Sequence, residues 1–490
     1  MPDPLASPRA CWLAERARRD GQLPALRCEG EELTFGALAT RVARTAARLR
    51  ALGLGRGDRL AVLMDSSTRL VEIAHAAQWA GLVLVPVNTR LTAAEVETIL
   101  ANADPALVAY DVALADRVPA ALRSVAVPDE LDQVATAGPL DPIALDPDSV
   151  FTILYTSGTT GRAKGAMLTH LNHAASAAAS RANLGLQSSD RWLVTLPLHH
   201  VGGLSVLFRS VLDGVPVTLH RSFDAARVRQ AIGEGGVTLA SLVTTTLGRL
   251  LDSLEDSACP GTLRAVLVGG GPVPGELIAR AWSRGVPALP TYGLTEAASQ
   301  VTTSTPPSAR RLGEGAGFPI PGTAVRIVDA DRDGVGEIAV RGPTVMAGYF
   351  RDPEATRRTL RDGWLHTGDL GRIDAEGELV VADRRSDLIV SGGENVYPAE
   401  VEAVLLAHPA VLEAGVFGEP DPKWGQRVCA AVVLRAGARA DAQALHAFGA
   451  ERLARFKVPR SITVLDSLPR TTSGKLQRHK LAERSSVTAS

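Results

Sequence analysis

Val150-Phe151-Thr152-Ile153-Leu154-Tyr155 runs directly into Thr156-Ser157-Gly158-Thr159-Thr160-Gly161-Arg162-Ala163-Lys164-Gly165. The first part is apolar and β-prone, and it reads as a buried strand. The second combines three glycines with several hydroxyls and one ammonium. Glycine lets the backbone turn tightly and aim its N–H groups inward, which makes a nest for a polyanion such as the phosphates of a nucleotide. The spacing Gly158-x-x-Gly161-x-x-Lys164-Gly165 is not that of a Walker A loop, which requires G-x-x-x-x-G-K-[ST]. A surface turn rich in Gly and Thr, binding nothing, is the plain alternative.

Outward from this loop, helix and strand patterns alternate. Residues 34–54 read as a helix with Phe35, Leu38, Val42, Ala46 and Leu49 on one face. A strand over 58–64, a helix over 68–81 and a strand over 83–87 follow. The alternation recurs at 192–196, 215–219, 225–234, 238–242 and 265–268. That pattern predicts α/β layers built on largely parallel sheets. From about 318 to 382 the runs become short, alternating and separated by Gly and Asp, which predicts a small β-barrel-like subdomain. Beyond 386, helices over 400–407 and 442–454 mix with strands over 413–417 and 428–434, an α+β arrangement. A domain boundary therefore falls near 384–386, with 1–384 as a large N-terminal domain and 385–490 as a smaller one. The tail at 485–490 reads as disordered.

A chain of 490 residues exceeds a single core, in agreement with that division. A net charge of −1 argues against a nucleic-acid or anionic-membrane surface. No apolar run is long enough to cross a bilayer, and Met1-Pro2-Asp3-Pro4 opens no secretory signal, so a cytoplasmic protein without membrane insertion is expected. Cys11, Cys28, Cys259 and Cys429 are scattered and form no C-x-x-C, and they read as buried thiols in a reducing compartment. Basic residues are overwhelmingly Arg, with Lys only at 164, 423, 457, 475 and 480. A Lys retained inside a glycine-rich loop is then less incidental, because a compact ammonium and a guanidinium are not interchangeable at a phosphate.

Further motifs follow in order. Gly269-Gly270-Gly271-Pro272 follows a strand and lets backbone approach a flat base. Tyr292-Gly293-Leu294-Thr295-Glu296 sets an aromatic face, a hydroxyl and a carboxylate side by side. Trp364-Leu365-His366-Thr367-Gly368-Asp369 ends in an acid suited to sugar hydroxyls. The run from Arg384 to Asn395 joins the domains, and Pro469-Arg470-Thr471-Thr472-Ser473-Gly474-Lys475 places a lone Lys on a glycine-containing loop. Taken singly, each has an ordinary explanation: core aromatic, helix N-terminal acid, turn former, surface ion pair.

Together, and in this order, they resemble the adenylate-forming superfamily of acyl-CoA synthetases, peptide-synthetase adenylation domains and luciferases, over essentially the whole chain. The resemblance implies an N-terminal domain of layered αβαβα sheets and a mobile C-terminal lid carrying the catalytic Lys. It implies that Thr156, Ser157, Gly158, Thr159, Thr160, Gly161 and Lys164 order the phosphates of ATP, with Gly270 and Gly271 beside the base. Tyr292 would stack on adenine, Thr295 reach the α-phosphate, and Glu296, with Thr160, hold Mg²⁺. Asp369 would take the ribose hydroxyls, helped by Arg384, and Lys475 would bridge the α-phosphate and the attacking carboxylate. A hinge at Ser386, where many relatives have Asp or Lys, would then present Ser391, Gly392 and Gly393 as a channel for the thiol of CoA.

The organic acid is read from less. Leu196-Pro197-Leu198-His199-His200-Val201-Gly202-Gly203 puts His200 at the family's substrate-gating position. The text there, at 88–91, at 295–300 and at 384–398 is similar to the 2-succinylbenzoate–CoA ligase branch, which serves menaquinone biosynthesis. Such an acid carries a second carboxylate and needs polar groups deep in its pocket; Arg90, Thr244, Thr245, Ser299 and Gln300 are the candidates. A medium-chain fatty acid or an aryl acid is the alternative. From another class, a nucleotide-binding module without catalysis is opposed by the presence of Lys475, Glu296 and Asp369. A carrier-linked adenylation domain is opposed by the lack of room after Lys475, although a free-standing carrier stays open as a partner, as does a second copy in a homodimer.

Overall fold

The structure is a computed structural model that describes residues 9–157, 163–255, 257–271, 273–310, 315–383, 388–469, 476, 478, 480 and 481. Two compact units emerge among them, the larger drawing on 1–89, 100–155 and 165–382 and the smaller on 90–99, 156–164 and 383–490. The boundary expected at 384–385 lies outside the described residues.

Two large sheets and one small one build the larger unit. The first has nine strands, running in space from Phe318–Pro319 through Ser299–Thr303, Ala288–Leu294, Ala265–Gly269, Leu239–Val243, Trp192–Val194, Val217–Leu219 and Pro24–Cys28 to Glu31–Thr34. Its centre is parallel and its outer hairpins are antiparallel. The second has seven strands in the order Gly348–Tyr349, Ala163–Thr169, Val150–Ser157, Val83–Pro86, Arg59–Leu63, Leu107–Asp111, Ser124–Val127. The subdomain expected to be barrel-like is a five-stranded antiparallel sheet of Ala324–Val328, Gly336–Arg341, Trp364–Ile373 and Leu360–Arg361, with Leu379–Asp383 added against Trp364–Ile373.

Local chemistry sets where the elements begin and end. The helix expected over 34–54 runs Phe35–Ala51, because the Thr34 hydroxyl accepts the Ala37 N–H and caps it. Thr68–Ala80 stops where Gly81 turns left-handed at φ 73°. From Leu70 to Ala80, and from Gly203 to Asp213 in Val201–Asp213, every residue is buried. Helices buried on all sides form an interior layer. Trp12, Phe151 and Phe208 pack through it, with ring centroids 5.9 Å (Trp12–Phe151) and 4.9 Å (Phe151–Phe208) apart. Burial of such rings contributes about 1.5–3 kcal/mol each. The four cysteines are buried free thiols.

The smaller unit has its own sheet, in the order Glu394–Val396, Ile389–Ser391, Gly425–Leu434, Val411–Asp421, with Ser461–Val464 parallel to Gly425–Leu434. Val401, Leu405, Val411, Val428, Val432 and Leu445 form its core under Pro398–Leu406 and Ala442–Ala450. Lys457 is buried there, its Nζ 2.8 Å from Glu95 and 2.7 Å from Glu400, so its charge is met twice.

Candidate active site

The strand Ala288–Leu294 carries Tyr292 to the edge of the parallel sheet, and Thr295–Ala297 is a short turn of 3₁₀ helix holding Thr295 and Glu296. Ser299–Thr303 then returns antiparallel, with Leu294 opposite Ser299 and the register slipping between Tyr292 and Gly293. The reversal is tight. Ala298 and Ser299 have φ of 53° and 107°, a conformation that costs a non-glycine residue roughly 1–3 kcal/mol. The Ser176 hydroxyl holds it by donating to the Ala298 carbonyl at 2.7 Å, while Arg209 Nη2 donates to Ser176 Oγ at 3.3 Å. Burial lowers Arg209 to about 10 and raises Asp213, which pairs with Arg181, to about 6.

Two of the candidate carboxylates are held by tyrosine hydroxyls. Glu296 Oε1 accepts the Tyr349 hydroxyl at 2.8 Å, and the Glu296 carbonyl accepts the Met346 N–H at 2.9 Å. Asp369, on Trp364–Ile373, accepts the Tyr292 hydroxyl at 2.7 Å. The Tyr292 ring is only 2% exposed and belongs to the core, so stacking on a base would require uncovering it. Gly270, at φ 80°, and Gly271 follow Ala265–Gly269 at the carboxyl ends of parallel strands, where open α/β sheets bind ligands.

Among the candidates for the organic acid, His200 occupies the N-cap position of Val201–Asp213, its ring centroid 4.4 Å from that of His199. Thr244 and Thr245 open the helix Thr244–Ser253. Gln300 is 3% exposed; its Nε2 donates to Thr303 Oγ1 at 2.9 Å and its Oε1 has no partner among the described residues. Ser299 and Gln300 thus lie on a returning strand.

The remaining candidates group with the smaller unit. Thr156 and Ser157 end the strand Val150–Ser157, and Thr156 Oγ1 donates to the Lys164 carbonyl at 3.5 Å. Arg90 pairs with Glu394 at 3.0 Å and lies over the Phe456 ring, so its partner here is a carboxylate of the protein itself. Ser391 is buried, and Gly392 and Gly393 make the turn that follows it at φ 60° and 84°. A Cβ on Gly392 would sit 2.8 Å from Trp424 Cε3, so that turn tolerates no side chain without a shift of the indole. Gly158, Thr159, Thr160, Gly161, Arg384, Ser386 and Lys475 lie outside the described residues.

Sequence reading missed Tyr349, which reaches Glu296 across 53 positions, and Glu337, whose carboxylate grips the loop before Asp369. Tyr349 stands in no motif, and Glu337 follows the charged, glycine-containing turn Asp331-Arg332-Asp333-Gly334-Val335-Gly336, where it reads as one more turn acid; only the folded chain brings them to their partners.

The chain matches the family described as AMP-binding enzyme over residues 13–350, and that family's C-terminal domain over 400–475. It is 43% identical over 479 residues to a 2-succinylbenzoate–CoA ligase of Bacillus licheniformis, covering 96% of this chain and 98% of the relative. Among solved structures it matches a double mutant of o-succinylbenzoate CoA synthetase from Bacillus subtilis bound to a product analogue, with TM-score 0.92, 39% identity and 99% of each chain covered. The same Bacillus subtilis enzyme in complex with the acyl-adenylate intermediate matches at TM-score 0.76 and 39% identity over 98% of each chain. In complex with ATP and magnesium it matches at the same score and identity, over 98% of this chain and 100% of that one.

Proposed function

The chain belongs to the AMP-binding enzyme family, and from that membership and the geometry above we propose that it is an ATP-dependent acid–CoA ligase whose acid is 2-succinylbenzoate. The observation that carries this reading is end-to-end similarity to ligases of that name, joined to two carboxylates held by tyrosine hydroxyls in the larger unit. We place the enzyme in the cytoplasm, a reading supported by its four buried free thiols.

The chemistry follows from charge. The carboxylate of the acid attacks the α-phosphorus of ATP; an O–P bond forms, the bond to the β-phosphate oxygen breaks, and pyrophosphate leaves. Two anions must meet, so donors are needed where negative charge accumulates. We assign that work to Lys475, Thr295, Lys164 and the backbone N–H groups of 156–161, with Asp369 orienting the ribose and Arg384 beside it. Glu296 is a hard oxygen donor steadied by Tyr349 and Met346, and this fits Mg²⁺, to be held with Thr160. Bound with ATP, Mg²⁺ would offset phosphate charge. In the second step the thiol of CoA adds to the acyl carbonyl and AMP departs; we assign its approach to Ser391, Gly392 and Gly393. For the acid we assign His200, Thr244, Ser299, Gln300 and Arg90, the buried amide oxygen of Gln300 being better matched to a polar acid than to an alkyl chain.

Pyrophosphate release across 2-succinylbenzoate, benzoates and fatty acids of graded length tests both levels. The expected result is a marked preference for 2-succinylbenzoate. Preference for simple fatty acids would remove the acid and keep the reaction, whereas no pyrophosphate with any acid would remove both.

A further inference from the structure

The strand that carries Asp369 is irregular where it matters. Gly336–Arg341 pairs antiparallel with Trp364–Ile373, but the register steps from Glu337 opposite Leu370 to Ala339 opposite His366. Thr367, Gly368 and Asp369 therefore stand against Ile338 alone, and the surplus forms a bulge. Gly368 takes φ 76°, which only glycine adopts without strain.

A bulge removes backbone groups from the ladder, and half-buried ones need other partners. Side chains supply them. Glu337 Oε1 accepts the Gly368 N–H at 3.0 Å. Thr367 Oγ1 donates to the Ile338 carbonyl at 2.8 Å and accepts the Asp369 N–H at 3.1 Å. The other Glu337 oxygen lies 2.9 Å from His366 Nδ1 and 3.1 Å from Arg361 Nη2, so the carboxylate is itself anchored from the neighbouring strands. What the bulge delivers is the Asp369 carboxylate, turned out of the ladder and onto the Tyr292 hydroxyl.

We propose that Glu337 is a positioning residue for nucleotide binding: by holding the Gly368 N–H it sets the bulge, and the bulge aims Asp369 at the two ribose hydroxyls. This rests on the assignment of Asp369 to the ribose made above. Glu337 acts only through the bulge, so its contribution exists only when the ligand has hydroxyls for Asp369 to meet.

That dependence is the test. Calorimetric binding of Mg·ATP and of Mg·2′,3′-dideoxy-ATP, without any acid, is compared for the wild-type chain, Glu337→Ala, Glu337→Gln and Asp369→Ala. Glu337→Ala should weaken ATP binding about tenfold, the loss of one charge-assisted hydrogen bond. It should leave dideoxy-ATP binding within about twofold of wild type, no more than a few tenths of a kcal/mol by the same conversion. Glu337→Gln keeps an oxygen for the Gly368 N–H and should recover most of the ATP affinity, which also guards against a misfolded Ala variant. An equal penalty on both nucleotides would reduce Glu337 to a stabiliser of the sheet and overturn the proposal. Equal wild-type affinity for the two nucleotides would overturn the ribose assignment and this proposal together, with Asp369→Ala then silent. Because no acid is present, a wrong acid in the proposed function leaves these outcomes unchanged.

Discussion

Lys475 and Tyr349 frame the chemistry of single residues. Lys475 is assigned to the step in which two anions converge, so Lys475→Ala should slow adenylation by roughly 10²–10³-fold, the loss of one preorganised donor. It should spare thioester formation from supplied acyl-adenylate and CoA, and equal loss of both half-reactions, followed by rapid quench, would refute that division of labour. Tyr349 never touches a substrate in this reading; it steadies Glu296 through a 2.8 Å hydrogen bond. Outer-shell partners of metal ligands cost about 10–100-fold in metal affinity or activity when removed. Tyr349→Phe should therefore raise the Mg²⁺ concentration needed for half-maximal ATP binding by about that factor. An unchanged Mg²⁺ titration would detach Tyr349, and with it the tyrosine-held form of Glu296, from the metal.

At the scale of elements, the hairpin that joins Tyr292 to Gln300 is set by close backbone approach. A Cβ on Gly293 would fall inside the Ser299 carbonyl, so the residue there must be glycine for Leu294 and Ser299 to pair at all. Gly293→Ala should cost at least about 1 kcal/mol in urea unfolding and depress Mg·ATP binding as well, because Tyr292 and Glu296 flank the same crossing. A variant of native stability and affinity would show that the hairpin can open without consequence. The motif Tyr292-Gly293-Leu294-Thr295-Glu296 was legible in the sequence because its residue types crowd together. The positive φ at Ala298 and Ser299, and the Ser176 hydroxyl that holds it, were not. Nothing in Ala298-Ser299 names a left-handed turn; packing against the helix His170–Leu184 imposes it.

For the molecule as a whole, the interior helical layer buries histidines that must stay neutral. Desolvation pulls His75 and His170 to about 4 and His173 to about 3, from an ordinary 6.5. The unfolded chain takes up these protons below about pH 6.5 while the fold refuses them, so stability rises with pH. It is fully present above 6.5 and is lost as the pH falls towards 4, by about 3 kcal/mol for His75 alone at 1.36 kcal/mol per pKa unit. Asp213, raised to about 6, works in the opposite sense below that pH, as do Asp111 and Glu400, whose carboxyls burial also raises, while His220, lowered by burial, adds to the imidazoles. The urea midpoint should drop between pH 7.5 and 5, and His75→Leu should flatten the slope; a pH-independent midpoint would contradict the burial.

Periodicity and motif order carried the α/β layering and the smaller C-terminal domain and supplied the candidates for the site, because those properties reside in local runs of residue types that survive without knowledge of their neighbours. Helix ends came within a few residues, since caps such as Thr34 and Gly81 are themselves local. Long-range pairings were beyond that reach: Tyr292 with Asp369, Tyr349 with Glu296, Arg90 with Glu394, and the three-against-one bulge that Glu337 holds open. A hydrogen bond between residues dozens of positions apart leaves no period and no spacing behind, and only strand order and register bring its two ends within three ångströms.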